Sequence, residues 1–228
     1  MGIVRICKII IIVILIAALA GCTRRAELAT RSNSDITRIM LINGSSSNRS
    51  VDVYAGSTLL AEGLEFGKSK GYVSTLGRPY DLKVFAAGAH DTPIAGTHAD
   101  LAAEKSFTVV VAGSGEQSKI WVYPDDNTPA PSGKARVRFI NAMPDITAVD
   151  LKVMTTETLL SKNISYGTAD KYKSIDSGVY ELAVNLEGLS VPVGRMYNVD
   201  LKSGAVYTAV AVGNVTGGTS ELIIVKNE

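Results

Sequence analysis

The two histidines of the chain lie close to two acidic residues, and together these four have the residue types of a metal site. His90 is followed directly by Asp91, and His98 is followed two residues later by Asp100. Imidazole and carboxylate groups at this spacing are ligands that zinc and manganese accept. Glycine and proline interrupt the segment, however, so it reads as a solvated loop between strands. We therefore assign no metal ligand here.

Other catalytic patterns are incomplete. Gly63–Ser69 resembles a phosphate-binding loop, but three residues separate its glycines where that motif needs four. A serine hydrolase would have to recruit His90 or His98, and no serine stands in a Gly-x-Ser-x-Gly turn. Asp52 and Asp150 recur at equivalent places, which favours an outward-facing or turn-capping role. We expect no catalytic residue, no cofactor and no enzymatic activity; a hydrolase or metal enzyme using the His90–Asp100 loop is the third-ranked alternative.

The N-terminus carries chemistry of another kind. Arg5 and Lys8 precede an apolar run of twelve residues, Ile9–Ala20. This run is too short for a membrane-spanning helix, which needs ~20 residues, but it suits the apolar region of a signal peptide. It ends in Leu-Ala-Gly-Cys, a sequence that resembles the lipobox of bacterial lipoproteins. The resemblance implies cleavage between Gly21 and Cys22 and attachment of lipid to the Cys22 thiol.

The lipobox implies an address for the mature protein. Several acyl chains on Cys22 would hold the protein lastingly at a membrane, since each buried methylene contributes ~0.8 kcal/mol. Thr23 follows Cys22 where an Asp would favour inner-membrane retention, so we expect the outer membrane and domains outside the cytoplasm. Because Cys7 leaves with the leader and Cys22 carries lipid, the mature chain has no disulfide. Its 21 basic residues face 22 acidic ones without a basic run, so no nucleic-acid partner is expected.

An internal repeat sets the organisation of the rest. Ala135–Leu151 echoes Thr37–Val53 at an offset of 98 residues, and later matches follow at an offset of 100. Between the copies stands Pro124–Lys134, whose three prolines indicate an extended, stiff linker. The predicted divisions are a signal peptide at 1–21, lipidated Cys22 with a flexible tether at 22–35, a β-sandwich at 36–123, a linker at 124–134 and a second β-sandwich at 135–228.

Alternating apolar residues predict the elements that position these side chains. Val137 and Phe139 are expected to face a core while Arg136 and Arg138 face water, as in a half-buried antiparallel strand. Trp121 and Tyr123 close the first unit; packing at the domain junction is preferred over stacking on a sugar. No window supports a helix over three turns. Seven or eight short strands per ~90-residue copy predict two immunoglobulin-like or transthyretin-like antiparallel β-sandwiches.

The stretch Ala135–Leu151 also permits a family resemblance. Its residues Arg136, Phe139-Ile140-Asn141-Ala142, Pro144-Asp145 and Val149-Asp150 resemble the opening motif of the bacterial family called domain of unknown function 4397. The resemblance implies an exported protein, often a lipoprotein, with tandem β-sandwiches and no assigned activity. The first copy lacks the Pro-Asp turn and has Gly44–Ser47 there.

Together these observations predict a non-catalytic interaction or structural module that is anchored in the bacterial cell envelope by lipid on Cys22. A carbohydrate- or peptide-binding accessory lipoprotein of an adhesion or uptake system is the alternative. Either hypothesis leaves the partner open, as an envelope protein or a glycan.

Overall fold

The computed structural model describes residues 35–47 and 49–227. The signal peptide, the Gly21–Cys22 cleavage site and the tether up to residue 34 lie outside this part of the chain and stay predictions. Within the described part, no helix has the length and apolar character that a membrane crossing requires.

Among the described residues, the first unit has eight strands, most of them rich in the β-branched and aromatic residues that strands favour. The sequence predicted seven or eight short strands for this copy. It missed β6, because Gly96, Thr97 and His98 read as a loop. The strands are β1 Ile36–Asn43, β2 Ser50–Ala55, β3 Thr58–Glu65, β4 Ser69–Leu76, β5 Arg78–Ala86, β6 Ala95–Leu101, β7 Ser106–Ala112 and β8 Lys119–Pro124.

The second unit repeats this order, with two short strands, β12 and β13, in the place of β4. A 3-10 helix of one turn at Gly115–Gln117 joins β7 to β8 in the first unit. The strands of the second unit are β9 Lys134–Asn141, β10 Ala148–Val153, β11 Thr158–Ser165, β12 Thr168–Ala169, β13 Lys173–Asp176, β14 Gly178–Leu186, β15 Pro192–Leu201, β16 Val206–Val212 and β17 Glu221–Asn227.

Each unit is a sandwich of two sheets, so the predicted all-β fold is confirmed. The outer sheets have the orders β3-β2-β5-β6 and β11-β10-β14-β15 and are antiparallel throughout. The inner sheets have the orders β4-β1-β7-β8 and β12-β9-β16-β17, with β13 also paired to β9. In each inner sheet the central pair is parallel: β1 with β7, and β9 with β16. The sandwiches are therefore antiparallel except at this pair.

The parallel strands are buried on both faces. Every residue of β7 and every residue of β16 is buried. One face of β7 packs into the core of its own sandwich through Val109 and Val111. The other face, with Val110 and Ala112, belongs to a different cluster. Strands covered on both faces read as continuous apolar runs, and this is the reason that these two strands lack alternation.

This different cluster is a core that the two units share. It joins the two inner sheets face to face, and its buried members are Met40, Ile42, Val110, Ala112 and Tyr123 from the first unit with Ile140, Ala142, Val210, Val212 and Ile223 from the second. The backbone N–H of Gly213 also donates to the carbonyl of Gly44 across this surface, at 3.3 Å. We call this surface the junction.

The segment between the units is bonded along its length. Asp125 donates its backbone N–H to Ser106 at 2.8 Å, and Ala130, which is buried, donates to Gly204 at 3.1 Å. The side chain of Arg136 donates to the carbonyl of Thr128 at 2.6 Å. These bonds tie the segment to both units, so it braces the junction as well as connecting the copies.

The shared core generates a prediction about Ile42 and Ile140, which are fully buried at equivalent positions in it. Replacing either one by alanine should lower the free energy of unfolding by about 2–5 kcal/mol, the usual cost of removing a buried isoleucine side chain. Chemical denaturation of the mature chain without its lipid measures this. Leu59→Ala is the control, because Leu59 is 44% exposed and its loss should cost less than ~1 kcal/mol. Costs for Ile42→Ala and Ile140→Ala as small as this control would mean that the junction does not stabilise the fold.

Candidate functional site

The histidine set does not form one site. His98 and Asp100 lie on β6 and not in a loop, which corrects the sequence interpretation, whereas His90 and Asp91 lie in the β5–β6 connection. His98 Nδ1 is 2.9 Å from Asp81 Oδ1, and both side chains are about 70% exposed. Across residues 35–47 and 49–227, no three His, Cys, Asp or Glu side chains come together as metal ligands would.

The glycine turns that suggested phosphate binding are parts of the junction. Gly67 and its counterpart Gly167 both have positive φ, at +73° and +75°, which favours glycine. A Cβ on Gly167 would lie 2.4 Å from the ring of Trp121, a residue of the other unit. The Gly63–Ser69 segment is structural: it contains the end of β3, the turn at Phe66 and Gly67, and the first residue of β4.

The two repeated aspartates cap turns. Asp52 accepts hydrogen bonds from the backbone N–H groups of Gly63, at 2.7 Å, and Gly88, at 3.0 Å. Asp150 accepts in the same way from Asn163, at 2.7 Å, and Gly188, at 3.4 Å. Both carboxylates are nearly fully buried. Each one links a bulge in the neighbouring strand, at Gly63 or Asn163, to the turn after the third strand of its sheet, at Gly88 or Gly188. Because Asp52 pairs with Phe85 and Asp150 with Asn185, both carboxylates are on the outward face of the outer sheet, so the capping and the outward-facing interpretations both hold.

The asparagines of the repeated motif are also structural. Asn43 Nδ2 donates to the Leu64 carbonyl at 2.9 Å, and its Oδ1 accepts from the N–H of Ser45 at 3.0 Å. Asn141 forms the corresponding bonds, with the Ile164 carbonyl and the Met143 N–H, both at 3.0 Å. Both asparagines are fully buried. Each ties the end of an inner strand to the neighbouring outer sheet, which gives a physical reason for their recurrence.

Asp145, of the Pro-Asp turn, braces the β16–β17 connection. Its carboxylate accepts from the N–H groups of Val215, at 3.2 Å, and Thr216, at 2.8 Å. Partial burial acts to raise the pKa of Asp145, but these hydrogen bonds outweigh burial and lower it. In the first copy Ser47 Oγ accepts from the Gly115 N–H at 2.9 Å, in the corresponding place. The first copy therefore keeps the brace with a different residue.

Arg138 corrects the expectation that it faces water. Its side chain is 4% exposed, and it forms an ion pair of 2.6 Å with Asp125, whose side chain is fully buried. The guanidinium also donates to the carbonyl of Pro124 at 2.8 Å and to the hydroxyls of Thr108, at 3.0 Å, and Thr208, at 3.1 Å. The positive charge of Arg138, from the second unit, and the negative charge of Asp125, which follows the last strand of the first unit, thus neutralise each other inside the junction. Arg136 also lies mostly buried, 2.5 Å from Asp126, and this ion pair lowers the pKa of Asp126.

Hydrogen-bonded pairs of equivalent residues surround this ion pair. Tyr72 donates to Asp125 at 2.5 Å, and Asn127 Nδ2 donates to the Tyr72 hydroxyl at 3.3 Å. Asn227 Nδ2 donates to Tyr172, at 2.9 Å, and to Asn127 Oδ1, at 3.0 Å. Burial, followed by the charge of Asp125, raises the pKa of Tyr72. The network is approximately symmetric between the units, since Tyr72 and Asn127 correspond to Tyr172 and Asn227.

Asp125 and Arg138 break that symmetry. Their counterparts in the other copy are Val225 and Met40, both apolar. The sequence missed Arg138 because strand alternation assigns it to the same face as Arg136. The repeat aligns Arg138 with the apolar Met40, and Arg138 lies close to the buried Ile140 on the same strand. These two facts were the available signal that other residues cover this face of the strand.

Trp121 and Tyr123 also belong to the junction, as the preferred interpretation had it. Trp121 meets Tyr166 of the second unit edge to face, with ring centroids 5.8 Å apart. Tyr123 lies in the shared core, and burial raises the pKa of its hydroxyl. Neither residue stands free to stack on a sugar.

A different aromatic group lies at the surface of the first unit. Tyr54 on β2 and Phe85 on β5 are half-buried on the outward face of the outer sheet, and His90 is exposed beside them. The Tyr54 ring lies edge to face with Phe85, at 5.6 Å, and with His90, at 6.5 Å. We call these three residues the aromatic group. The sequence carries no motif for this group, although the repeat aligns Tyr54 with Lys152 and Phe85 with Asn185.

The asymmetric ion pair generates a prediction. Arg138→Met should lower the free energy of unfolding by about 3–5 kcal/mol, because Asp125 would stay buried without its cation. Adding Asp125→Val copies the residues of the other unit and should recover at least ~2 kcal/mol, since Tyr72 keeps Asn127 and Thr208 keeps Asn227 as partners. Denaturant titration of both single variants and the double variant measures the coupling. Additive costs of the two substitutions would contradict this description of the junction.

Comparisons with known proteins identify the family. The family 26 carbohydrate-binding module CBMbc of Eubacterium rectale Amy13K, solved with maltoheptaose, aligns at 10% identity over 85% of this chain and 97% of that chain, with a TM-score of 0.24. A structural similarity with so low a TM-score carries no argument about this chain. No curated protein matches the chain. The profile described as domain of unknown function (DUF4397) matches residues 37–152 and 142–228. With the repeated strands, turn caps and motif asparagines described above, the chain belongs to this family and is a tandem, two-sandwich member of it.

Proposed function

We propose that the protein is a lipid-anchored, non-catalytic interaction module of the bacterial cell envelope. Cys22 would carry the lipid, the outer membrane would hold it, and both sandwiches would lie outside the cytoplasm. The leader with its Leu-Ala-Gly-Cys ending supports the address, and the absence of a basic run supports a partner other than nucleic acid.

The junction is the observation that carries the interaction role. It uses the two inner sheets to hold the units together, so the outer sheets are left as the broad faces that the fold presents to solvent. The acidic and amide residues that recur in both copies, such as Asp52 and Asn43, are occupied by hydrogen bonds to the backbone of their own sandwich. Because the inner sheets and the recurring polar residues are used to hold the structure together, this arrangement favours a role in which the outer faces are held rigidly for a partner.

A second candidate function is the capture of a glycan or peptide for an adhesion or uptake system. The observation in its favour is the aromatic group, because aromatic side chains at a surface are typical of binding sites. This candidate is compatible with the lipid anchor and gives one of the outer faces a ligand.

The anchor generates a prediction about Cys22. Cys22→Ser should abolish incorporation of radiolabelled palmitate and release the protein from the membrane fraction or leave it unprocessed, because the serine hydroxyl cannot replace the thiol as the lipid acceptor. Metabolic labelling followed by fractionation measures both effects. Cys7→Ser is the matched control and should label normally, since Cys7 leaves with the leader. Labelling of Cys22→Ser at the wild-type level would refute the anchor.

The display of the sandwiches can be tested on intact cells. A protease added outside would cleave the protein if the sandwiches face the medium, and would cleave it only after the outer membrane is opened if they face the periplasm. Both results agree with domains outside the cytoplasm. Protection that persists until the inner membrane is broken would contradict the proposal.

A further inference from the structure

A row of side chains crosses the outward face of the first outer sheet. The strand register places Tyr54 of β2 opposite Leu59 of β3 and opposite Lys83 of β5, and Lys83 opposite Gly96 of β6. Leu59 is 44% exposed, and Lys83 and Gly96 are exposed as well. Four strands at spacings of ~4.8 Å make this row about 14 Å long. That length accommodates a short oligosaccharide.

The aromatic group gives this row a shaped apolar centre. Phe85 and His90 both approach Tyr54 with their planes nearly perpendicular to it, at 86° and 89°. Edge-to-face contacts of this kind are favourable beyond the apolar area that they bury. They hold the Tyr54 ring in place, so an incoming ligand need not order it.

The second copy shows that the fold does not require these aromatics. The same two sheet positions hold Lys152 and Asn185 there, in the same register between β10 and β14. Ion pairs cover that face instead: Lys152 pairs with Glu157, and Arg195 with Glu181 at 2.8 Å. Since the same backbone folds with a polar, ion-paired face, the half-buried aromatics of the first copy are not required for folding.

The surroundings of the aromatic group define the chemistry of a ligand. Lys83, Asp81 and His98 flank it with both signs of charge, and Asp81 and His98 pair with each other. A face of balanced charge does not attract a strongly charged polymer. It offers hydrogen-bond donors and acceptors to a neutral one. A peptide that binds by strand addition needs the open N–H and C=O groups of a sheet edge, whereas these residues lie on the face of the sheet, across β2, β5 and β6.

We infer that the outer sheet of the first unit binds a neutral oligosaccharide across the row from Leu59 to Gly96. The apolar C–H face of a sugar ring packs on Tyr54 and Phe85, since the ring quadrupole is negative at its face. The hydroxyls at the rim of the sugar bond to Lys83 and Asp81. This inference rests on the proposed non-catalytic role and gives that role a ligand class.

The mature chain without its lipid tests the inference on an array of neutral oligosaccharides, including glucans, galactans, xylans and chitin fragments. Calorimetry then measures the affinity for the best binder. Tyr54→Lys with Phe85→Asn copies the second unit, so this double variant should keep its melting temperature while binding at least ten-fold more weakly. Tyr197→Lys removes another tyrosine, which is 61% exposed on the second unit, and should bind as the wild type does.

Each outcome decides the matter. Saturable binding that the double variant loses and Tyr197→Lys keeps supports the inference. Absence of binding to every neutral oligosaccharide, equal binding by the double variant, or capture of a peptide library that the double variant loses would overturn it. The proposed function fails separately: cleavage of the oligosaccharide, seen by chromatography, would make the protein an enzyme, and palmitate labelling reports on the anchor independently.

Discussion

The packing of the two inner sheets against each other constrains the rest of the structure. A strand that is covered on both faces must be apolar on both, and β7 and β16 meet this demand with every residue buried. Each large apolar side chain that is fully buried in the shared core of the junction stabilises the fold by roughly 1.5–3 kcal/mol. This stabilisation adds to what either sandwich gains alone. The shared core also fixes the turns around Gly67 and Gly167, which lie close against the opposite unit. The two copies of the repeat thereby become one body.

Duplication and divergence have separate places in this body. The turn-capping aspartates, the motif asparagines and the Tyr72/Tyr172 and Asn127/Asn227 pairs are kept in both copies because both sandwiches and both halves of the junction need them. Two differences between the copies bear on their packing and on their surface. One is the ion pair of Arg138 with Asp125 inside the junction; the other is the outward face of the outer sheets. A buried charge pair costs much to desolvate, and the loss of either partner leaves the other charge buried without its counter-ion.

Much of the fold was readable from the sequence, and the reasons are particular. The offset between Ala135–Leu151 and Thr37–Val53 indicated two copies, and alternation at Val137 and Phe139 indicated a strand with one face in a core. The parallel pairing of β1 with β7 was not readable, because strand direction depends on the path of the chain and not on its apolar pattern. Arg138 was placed in water for a related reason. Alternation reports which residues share a face, and only the tertiary structure decides what covers that face.

The candidate site was less predictable. His90 drew attention as a metal ligand, and the structure uses its ring beside Tyr54; His98 proved to be on a strand. Tyr54 and Phe85 carry no motif, so only their mismatch with Lys152 and Asn185 sets them apart.

The central claim is that the junction makes two sandwiches one cooperative body, and native-state hydrogen exchange tests it most directly. Amides of β7 and β16 should exchange only by global unfolding, with equal free energies in both strands. Exchange of one strand at a clearly lower free energy than the other would show that the units open independently and would contradict the claim.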